Sequence, residues 1–249
     1  MDFGYLALIA GSFGLLWWRA LRRARPMLAA PKLAADAEVA LHVAQHEAGT
    51  RGHWMTGLHL MRGLLQDEAF VAAIERLGGN PQSIEDRVLD ELDKTPNVAP
   101  DEAALREVLG LAIGNAMHQH RLATCTDIWA YLARAPAGKL VATGGIDPAA
   151  LLFLLVHGFP EPKDPPAVPQ LDLVLRNDDY TPQELVVGIL REVFELTPAE
   201  AQMKMLAAHT AGSVVLGRYS SAAARDKLAA ARTRARARPY PLRIDAEPR

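Results

Sequence analysis

The sequence predicts an α+β protein with two folded parts: an all-helical region over residues 37–158 and a small sheet-and-helix region over residues 171–249. Three observations carry this. From Ala37 to Gly158 the apolar residues recur at helical spacing and no alternating strand interrupts them. Residues 159–170 then hold Pro160, Pro162, Pro165, Pro166 and Pro169 with no apolar period, the composition of a semi-rigid, extended linker. Beyond it the order strand, helix, helix, strand, helix, strand allows an antiparallel sheet backed by helices. At 249 residues, half of them hydrophobic, the chain has enough material for two cores.

Before the folded parts, Phe3 to Trp18 is a run of sixteen uncharged residues followed by Arg19, Arg22, Arg23 and Arg25. A helix of that length spans roughly 24 Å, a little short of the ~30 Å hydrocarbon core, and Trp17, Trp18 and the arginines extend its reach. Residues 1–25 therefore read first as a single-pass inner-membrane anchor with its basic flank, with an interfacial helix and then a partner-buried helix as the alternatives, and for an anchor the positive-inside rule puts everything after Arg19 in the cytoplasm. A cleaved signal peptide fits less well, because the positive charges follow the apolar run. Residues 26–36, with Pro26, Pro31 and many alanines, read as a tether.

Within the helical region the expected helices are Glu38 to Glu47, Thr56 to Leu65, Glu68 to Leu77, Gln82 to Leu92, Glu102 to His120, Thr126 to Ala133 and Pro148 to His157. The region repeats itself. Thr56 and Thr126 each open a short helix as a cap, and Gly78-Gly79-Asn80-Pro81 and Gly144-Gly145-Ile146-Asp147-Pro148 each precede a further one. His42 and His46 stand four apart on one helix face, but no third ligand of recognisable spacing accompanies them, so core or solvated histidines are the expectation. His118 and His120 point to different faces.

In the sheet-and-helix region the expected elements are strands at Leu171 to Leu175, Val214 to Tyr219 and Pro241 to Ile244, with helices at Pro182 to Phe194, Pro198 to His209 and Ser221 to about Arg236. The first strand runs into Asn177-Asp178-Asp179-Tyr180 and then a helix start, where Thr181 is expected to cap, Pro182 suits the first turn and Glu184 completes a capping box. Thr197 and Glu200 form a second box, and Gly212 is the stop of the helix before it. Arg232, Arg234, Arg236 and Arg238, two apart, wrap the last helix and read as dipole complement and solubility.

The stretch from about Leu171 to Leu242 resembles the ClpS adaptors, which deliver proteins with particular N-terminal residues (N-degrons) to an AAA+ protease. The resemblance rests on an ordered series: Asn177-Asp178-Asp179-Tyr180-Thr181-Pro182, the run Ala201 to His209, then Gly212, Gly217, Lys227 and Pro241-Leu242. It implies a three-stranded antiparallel sheet backed by three helices. It also implies that Asn177, Asp178 and His209 hold an α-amino group, and that Thr181, Val186, Met205, Ala208 and Leu242 form the apolar pocket for the first side chain. Such a site is chemically apt, because an ammonium offers three donors and needs two or three acceptors aimed at one point. A hydrogen bond to a charged group contributes roughly 1.5–3 kcal/mol, and burial of a leucine or aromatic side chain a similar amount. Two positions depart from the pattern. Gln183 stands where a methionine usually guards the pocket mouth, and Ala208 replaces a common valine. Lys227 corresponds to a lysine used for docking on the unfoldase, while Ala222 stands where an acidic residue is common.

The helical double repeat resembles the N-terminal domain of Clp unfoldases such as ClpA and ClpC. Thr56, His59, Leu60 and Leu64-Leu65 carry the match in the first repeat, and Trp129 and Arg134 depart from it in the second. No G-x-x-x-x-G-K-[ST] loop occurs, so the chain lacks the ATP-driven motor. The expected function is an adaptor, not an enzyme, that hands N-degron substrates to a Clp AAA+ unfoldase of ClpA or ClpC type. The alternative is a membrane-bound scaffold or regulator that has lost N-degron binding. Expected partners are the unfoldase, substrate N-termini and a membrane through residues 3–18. A net charge of −2 gives no reason to expect nucleic acid. Neither metal nor cofactor is expected, and the lone Cys125 excludes an intrachain disulfide and suits a reducing cytosol.

Overall fold

The structure is a computed structural model that describes residues 32–94 and 102–248. The anchor expected at residues 3–18 and most of the tether lie outside the described residues. No single helix among the described residues is long and apolar enough to cross a membrane. The helical region contains α1 (Ala35–Arg51), α2 (Gly57–Leu64), α3 (Glu68–Arg76), α4 (Pro81–Lys94), α5 (Glu102–His118), α6 (Cys125–Leu132), α7 (Pro136–Thr143) and α8 (Pro148–His157). The sheet-and-helix region follows with β1 (Gln170–Arg176), α9 (Gln183–Glu192), α10 (Pro198–Ala211), β2 (Ser213–Ser220), α11 (Ser221–Arg236) and β3 (Arg243–Pro248).

Local chemistry starts these helices. At α2, Thr56 donates its backbone N–H to Nδ1 of His59 at 3.0 Å. At α6 the cap is Thr124, two residues before the expected Thr126, because Asp127 accepts both its backbone N–H at 2.8 Å and its hydroxyl at 2.9 Å. A box closes best with a carboxylate three residues on, and Thr126 has none. Asn80 and Asp147 accept from Ser83 and Ala149 to open α4 and α8.

α7 is absent from the helices the sequence predicts. Its eight residues carry only two large apolar side chains, so periodicity is weak, and tertiary packing supplies what propensity does not. Val141 is fully buried, and Gly138 lets the backbone approach Ala133 so closely that a Cβ there would lie 1.9 Å from the Ala133 carbonyl oxygen.

Both departures in the second repeat have a structural reason. Trp129 is fully buried, its ring meeting Phe70 edge-on at 5.3 Å between centroids. Arg134 places its guanidinium over the Tyr240 ring at 4.1 Å, reaching out of the helical region into the sheet region.

The sheet has the order β2-β1-β3 with both pairings antiparallel, so β1 is central. Leu171, Leu173 and Leu175 share one face of β1 and form a core with Ile189, Leu190, Met205, Leu228 and their neighbours on α9, α10 and α11. The third strand starts two residues later than expected and runs further. Arg243 to Pro248 pairs with β1 from Arg176 back to Leu171, while Leu242 is left buried against the helices and the Pro241 carbonyl faces His157.

The described residues from Leu33 onward form one compact body. The proline-rich stretch has little regular structure, yet it is tied down. Arg232 bonds Glu161 at 2.5 Å and the Pro162 carbonyl at 2.6 Å, and Arg236 pairs with Glu161 at 2.6 Å and Asp147 at 3.3 Å. These arginines, expected to serve solubility, instead fasten α11 to the linker and to the start of α8. His157 Nε2 lies 2.8 Å from the Pro241 carbonyl oxygen and adds a further tie between the two regions.

Candidate functional site

β1 delivers its last residue, Arg176, to the edge of a polar corner. The backbone N–H of Asn177 donates to the Gly212 carbonyl at 2.9 Å, which joins the strand end to the stop of α10. Gly212 has φ +82°, the left-handed conformation a helix stop of this kind requires. Asp178 then organises the turn. Its Oδ1 accepts the backbone N–H of Tyr180 at 2.9 Å and of Thr181 at 2.6 Å, and its Oδ2 accepts the Thr181 hydroxyl at 2.8 Å. The expected Thr181–Glu184 capping box is therefore not formed. Thr181 spends its hydroxyl on Asp178, and α9 starts at Gln183 with Pro182 as its cap. An aspartate that can fold back on two amides competes well against a box one turn later.

α10 brings His209 to the same corner, its Nδ1 lying 3.3 Å from Oδ1 of Asn177. The amide orientation of Asn177 follows from its other contact: Nδ2 faces the Asp179 carboxylate, 3.3 Å away, which can only accept. Oδ1 therefore accepts from His209 Nδ1–H, which leaves Nε2 as an acceptor. Asn177, Asp178 and His209 thus line one cavity and offer it three kinds of acceptor.

The same cavity is lined by Thr181, Gln183, Val186, Met205, Ala208 and Leu242, together with Leu175 and Arg176. Met205, Ala208 and His209 share one face of α10, and Met205, Ala208 and Leu242 are buried. Its volume is about 30 Å³, room for a water or two. A side chain as large as leucine enters only if the lining moves, and Gln183 and His209 are its exposed residues.

Burial pushes the Asp178 carboxyl up from its ordinary range, against the hydrogen bonds from Tyr180 and Thr181. Among the described residues no arginine or lysine pairs with it: Arg176, which also lines the cavity, is engaged with Asp245 and Glu247.

Tyr180, in the middle of the corner, reaches the helical region. Its hydroxyl donates to Oδ1 of Asp127 at 3.1 Å and accepts from Nη2 of Arg121 at 3.2 Å. Arg121 also grips Asp127 with both ends of its guanidinium, at 2.6 and 2.8 Å. His120, with φ +55°, turns the chain after α5 and lets the Arg121 N–H return to the Ala116 carbonyl at 3.0 Å. Sequence reasoning missed this clamp. The one available signal was Asp127 three residues after Thr124.

The corner opens on its other side into a second cavity of about 260 Å³ that α5 and α6 complete. A larger cavity of about 470 Å³ between the proline-rich stretch, α11 and β3 is walled by charged side chains already paired with one another, Arg232 with Glu161 and Arg243 with Asp245. Lys227 lines none of these cavities. Its ammonium bonds the Val193 carbonyl at 2.7 Å and Glu195 at 3.3 Å, under the rings of Phe194 and Tyr219. His42 and His46 are both exposed. Asp36, Asp67 and Cys125 lie close together, but both carboxylates serve backbone amides, of Cys125 at 2.8 Å and Phe70 at 2.9 Å.

The class of protein is set by a sheet-and-helix module, with a polar corner at the end of its central strand, joined to a helical repeat. The family model described as "ATP-dependent Clp protease adaptor protein ClpS" matches residues 167–245, and that of the "Clp repeat (R) N-terminal domain" matches residues 32–120. The chain is 48% identical over 75 residues to the ATP-dependent Clp protease adapter protein ClpS of Nitratidesulfovibrio vulgaris strain Miyazaki F, covering 30% of this chain and 75% of that protein. It is 42% identical over 76 residues to the ClpS of Deinococcus radiodurans, covering 30% and 67%. Among solved structures, Agrobacterium tumefaciens ClpS2 bound to L-phenylalaninamide is similar at 31% identity, over 32% of this chain and 98% of that one, with a TM-score of 0.32. The chain belongs to the ClpS family of Clp protease adaptors, and it carries a Clp repeat domain in the same polypeptide.

Proposed function

We propose that the chain captures the N-termini of substrate proteins at the Asn177-Asp178-His209 corner and passes them to a Clp-type AAA+ unfoldase of the ClpA or ClpC kind. The observation that carries this reading is Asp178. It is a carboxylate held in place by three protein donors, with no arginine or lysine paired to it among the described residues, and flanked by the acceptors Asn177 Oδ1 and His209 Nε2. An α-ammonium is a cation whose three donors match that set. The apolar lining of Val186, Met205, Ala208 and Leu242 favours a first residue such as leucine or an aromatic, with Gln183 setting which of them enter.

Fluorescence anisotropy tests this with peptides that begin with Phe, Tyr, Trp or Leu. Binding is expected for the free N-terminus and absent after acetylation or in Asp178→Ala. Equal affinity for the acetylated peptide would sink the assignment. Delivery is tested by pull-down with a purified unfoldase N-domain, in which docking through the Lys227 face is lost in Lys227→Glu.

The run at residues 3–18 supports tethering to the cytoplasmic membrane, and carbonate extraction that leaves the full chain in the soluble fraction would overturn it. The second reading, a scaffold or regulator of the unfoldase without N-degron binding, draws support from the small cavity of about 30 Å³. A scaffold would ignore the first residue in the same anisotropy measurement.

A further inference from the structure

An amino acid held by its ammonium has two branches at Cα: the side chain and the carbonyl that continues the chain. The corner is built for such a fork. The small cavity and the 260 Å³ cleft share Asp178, Thr181, Gln183 and His209, so a group seated against those four residues looks into both. With the first side chain in the apolar cavity, the rest of the polypeptide leaves through the cleft. The far wall of that cleft belongs to the helical region: Asn115, His118 and Gln119 of α5 and the turn after it, and Tyr131 of α6.

Two of those wall residues carry unmet donors. Nδ2 of Asn115 and Nε2 of Gln119 are closed off from solvent in the free protein and have no hydrogen-bond partner among the described residues, so a ligand in the cleft meets them by displacing the side chains that cover them. The Gln119 amide cannot simply turn over to relieve this, because its Oε1 accepts from Arg121 Nε at 2.7 Å. Buried amide donors are almost always paired in folded proteins, and the partner that fits two carboxamides beside an exit path is the carbonyl row of an extended backbone. Successive residues of such a backbone advance by about 3.3–3.6 Å, so the second and third residues lie within the cleft. The wall is held at its distance by the Arg121–Asp127–Tyr180 clamp, which has one end in each region.

We infer that the helical repeat is part of the binding site: it forms a subsite in which Asn115 and Gln119 donate to the backbone carbonyls of the second and third residues of a captured N-terminus. Backbone carbonyls are the same whatever the side chain, so this subsite adds affinity with little preference for sequence beyond the first residue. The inference rests on the ammonium-capture reading of the corner.

The test compares two ligands on the full chain by calorimetry: phenylalaninamide, which occupies only the corner and its apolar cavity, and a Phe-led tetrapeptide amide, which also enters the cleft. The wild-type protein is expected to bind the tetrapeptide at least tenfold more tightly. Asn115→Ala and Gln119→Ala should each remove about fivefold of that gain and leave phenylalaninamide affinity unchanged. Asn115→Ala leaves every contact of Arg121 in place, so unchanged thermal unfolding of this variant separates loss of a donor from loss of the fold. Equal affinity of the wild type for both ligands overturns the subsite while leaving ammonium capture standing, as do variants that weaken both ligands alike. If the wild type binds neither ligand, ammonium capture itself fails and the subsite with it.

Discussion

Asp127 and Asp178 make a pair of turns with nearly the same wiring. Each takes a backbone N–H and a threonine hydroxyl, from Thr124 in one case and Thr181 in the other, and both touch Tyr180. They differ in charge. Burial would raise Asp127, but hydrogen bonds from Arg121 and Thr124 hold its carboxyl below the usual range. Burial raises Asp178, and only the hydrogen bonds from Tyr180 and Thr181 and the nearby His157 imidazole pull the other way, with no guanidinium beside it. One carboxylate has its countercharge within the fold, and the other is left with a place for one. The first holds the two regions together, and the second has the electrostatics of a cation site.

Breaking the complete pair gives the largest effect. Arg121→Ala leaves Asp127 charged and fully buried, which costs about 3 kcal/mol, the low end for a broken buried pair because Arg121 is about one-third exposed. Urea unfolding measures this, and Arg121→Lys should restore only part of it because the two-pronged grip is lost. A loss under ~1 kcal/mol would mean that water already serves as the partner.

Acid acts on the helical region through a different group. His59 is fully buried with its pKa lowered to about 4, first by burial and second by the neighbouring His53. The unfolded chain binds a proton near 6.5 and the folded one only near 4. Stability is therefore complete above pH 6.5 and falls as pH drops through that window, by at most about 3 kcal/mol. Unfolding free energies measured across pH 4–7 check this, and His59→Gln should flatten the slope. Asp178 moves the other way from Asp127: it takes up a proton at a pH above the ordinary carboxylate range, and peptide affinity should decline there because the neutral acid no longer attracts an ammonium. Affinity that stays flat as pH falls towards the ordinary carboxylate range would show that Asp178 is not the charged partner.

Asp178→Asn sharpens the contrast further. A carboxamide oxygen can still accept from Tyr180 and Thr181, so stability should change by less than ~1 kcal/mol, while loss of charge weakens an N-terminal peptide about tenfold or more. Asp127→Asn should do the reverse: destabilise by leaving Arg121 unpaired, with phenylalaninamide binding retained.

What the sequence made legible follows from distance along the chain. The capping box of Thr197 and Glu200, the stop at Gly212 and the strand of Leu171, Leu173 and Leu175 depend on neighbours within a few positions, and each stands as read. The gathering of Asn177, Asp178 and His209 at one cavity was readable only through the family resemblance, since no local rule links positions 177 and 209. What stayed hidden is tertiary. The Tyr180 bonds to Asp127 and Arg121 span more than fifty positions, and the pairings of Arg232 and Arg236 with Glu161 span about seventy. Two local readings also failed, Thr126 and Thr181 as caps, because in each case an aspartate within three residues offered the competing bond.

The smallest change addresses the atom that joins the two aspartates. Tyr180→Phe removes a hydroxyl that donates to Asp127 and accepts from Arg121, yet leaves the Tyr180 backbone N–H on Asp178 and both prongs of Arg121 on Asp127. One hydrogen bond to a charged pair that keeps its other partners contributes about 1 kcal/mol, so a modest fall in unfolding free energy is expected, with phenylalaninamide affinity unchanged. The two readouts separate two sources of order in the corner. If affinity holds, the turn that Asp178 builds from its own neighbours is sufficient to shape the ammonium site. If affinity falls tenfold, the corner takes its shape from the helical region through Tyr180, and the two carboxylates act as one unit rather than as a brace and a binding site.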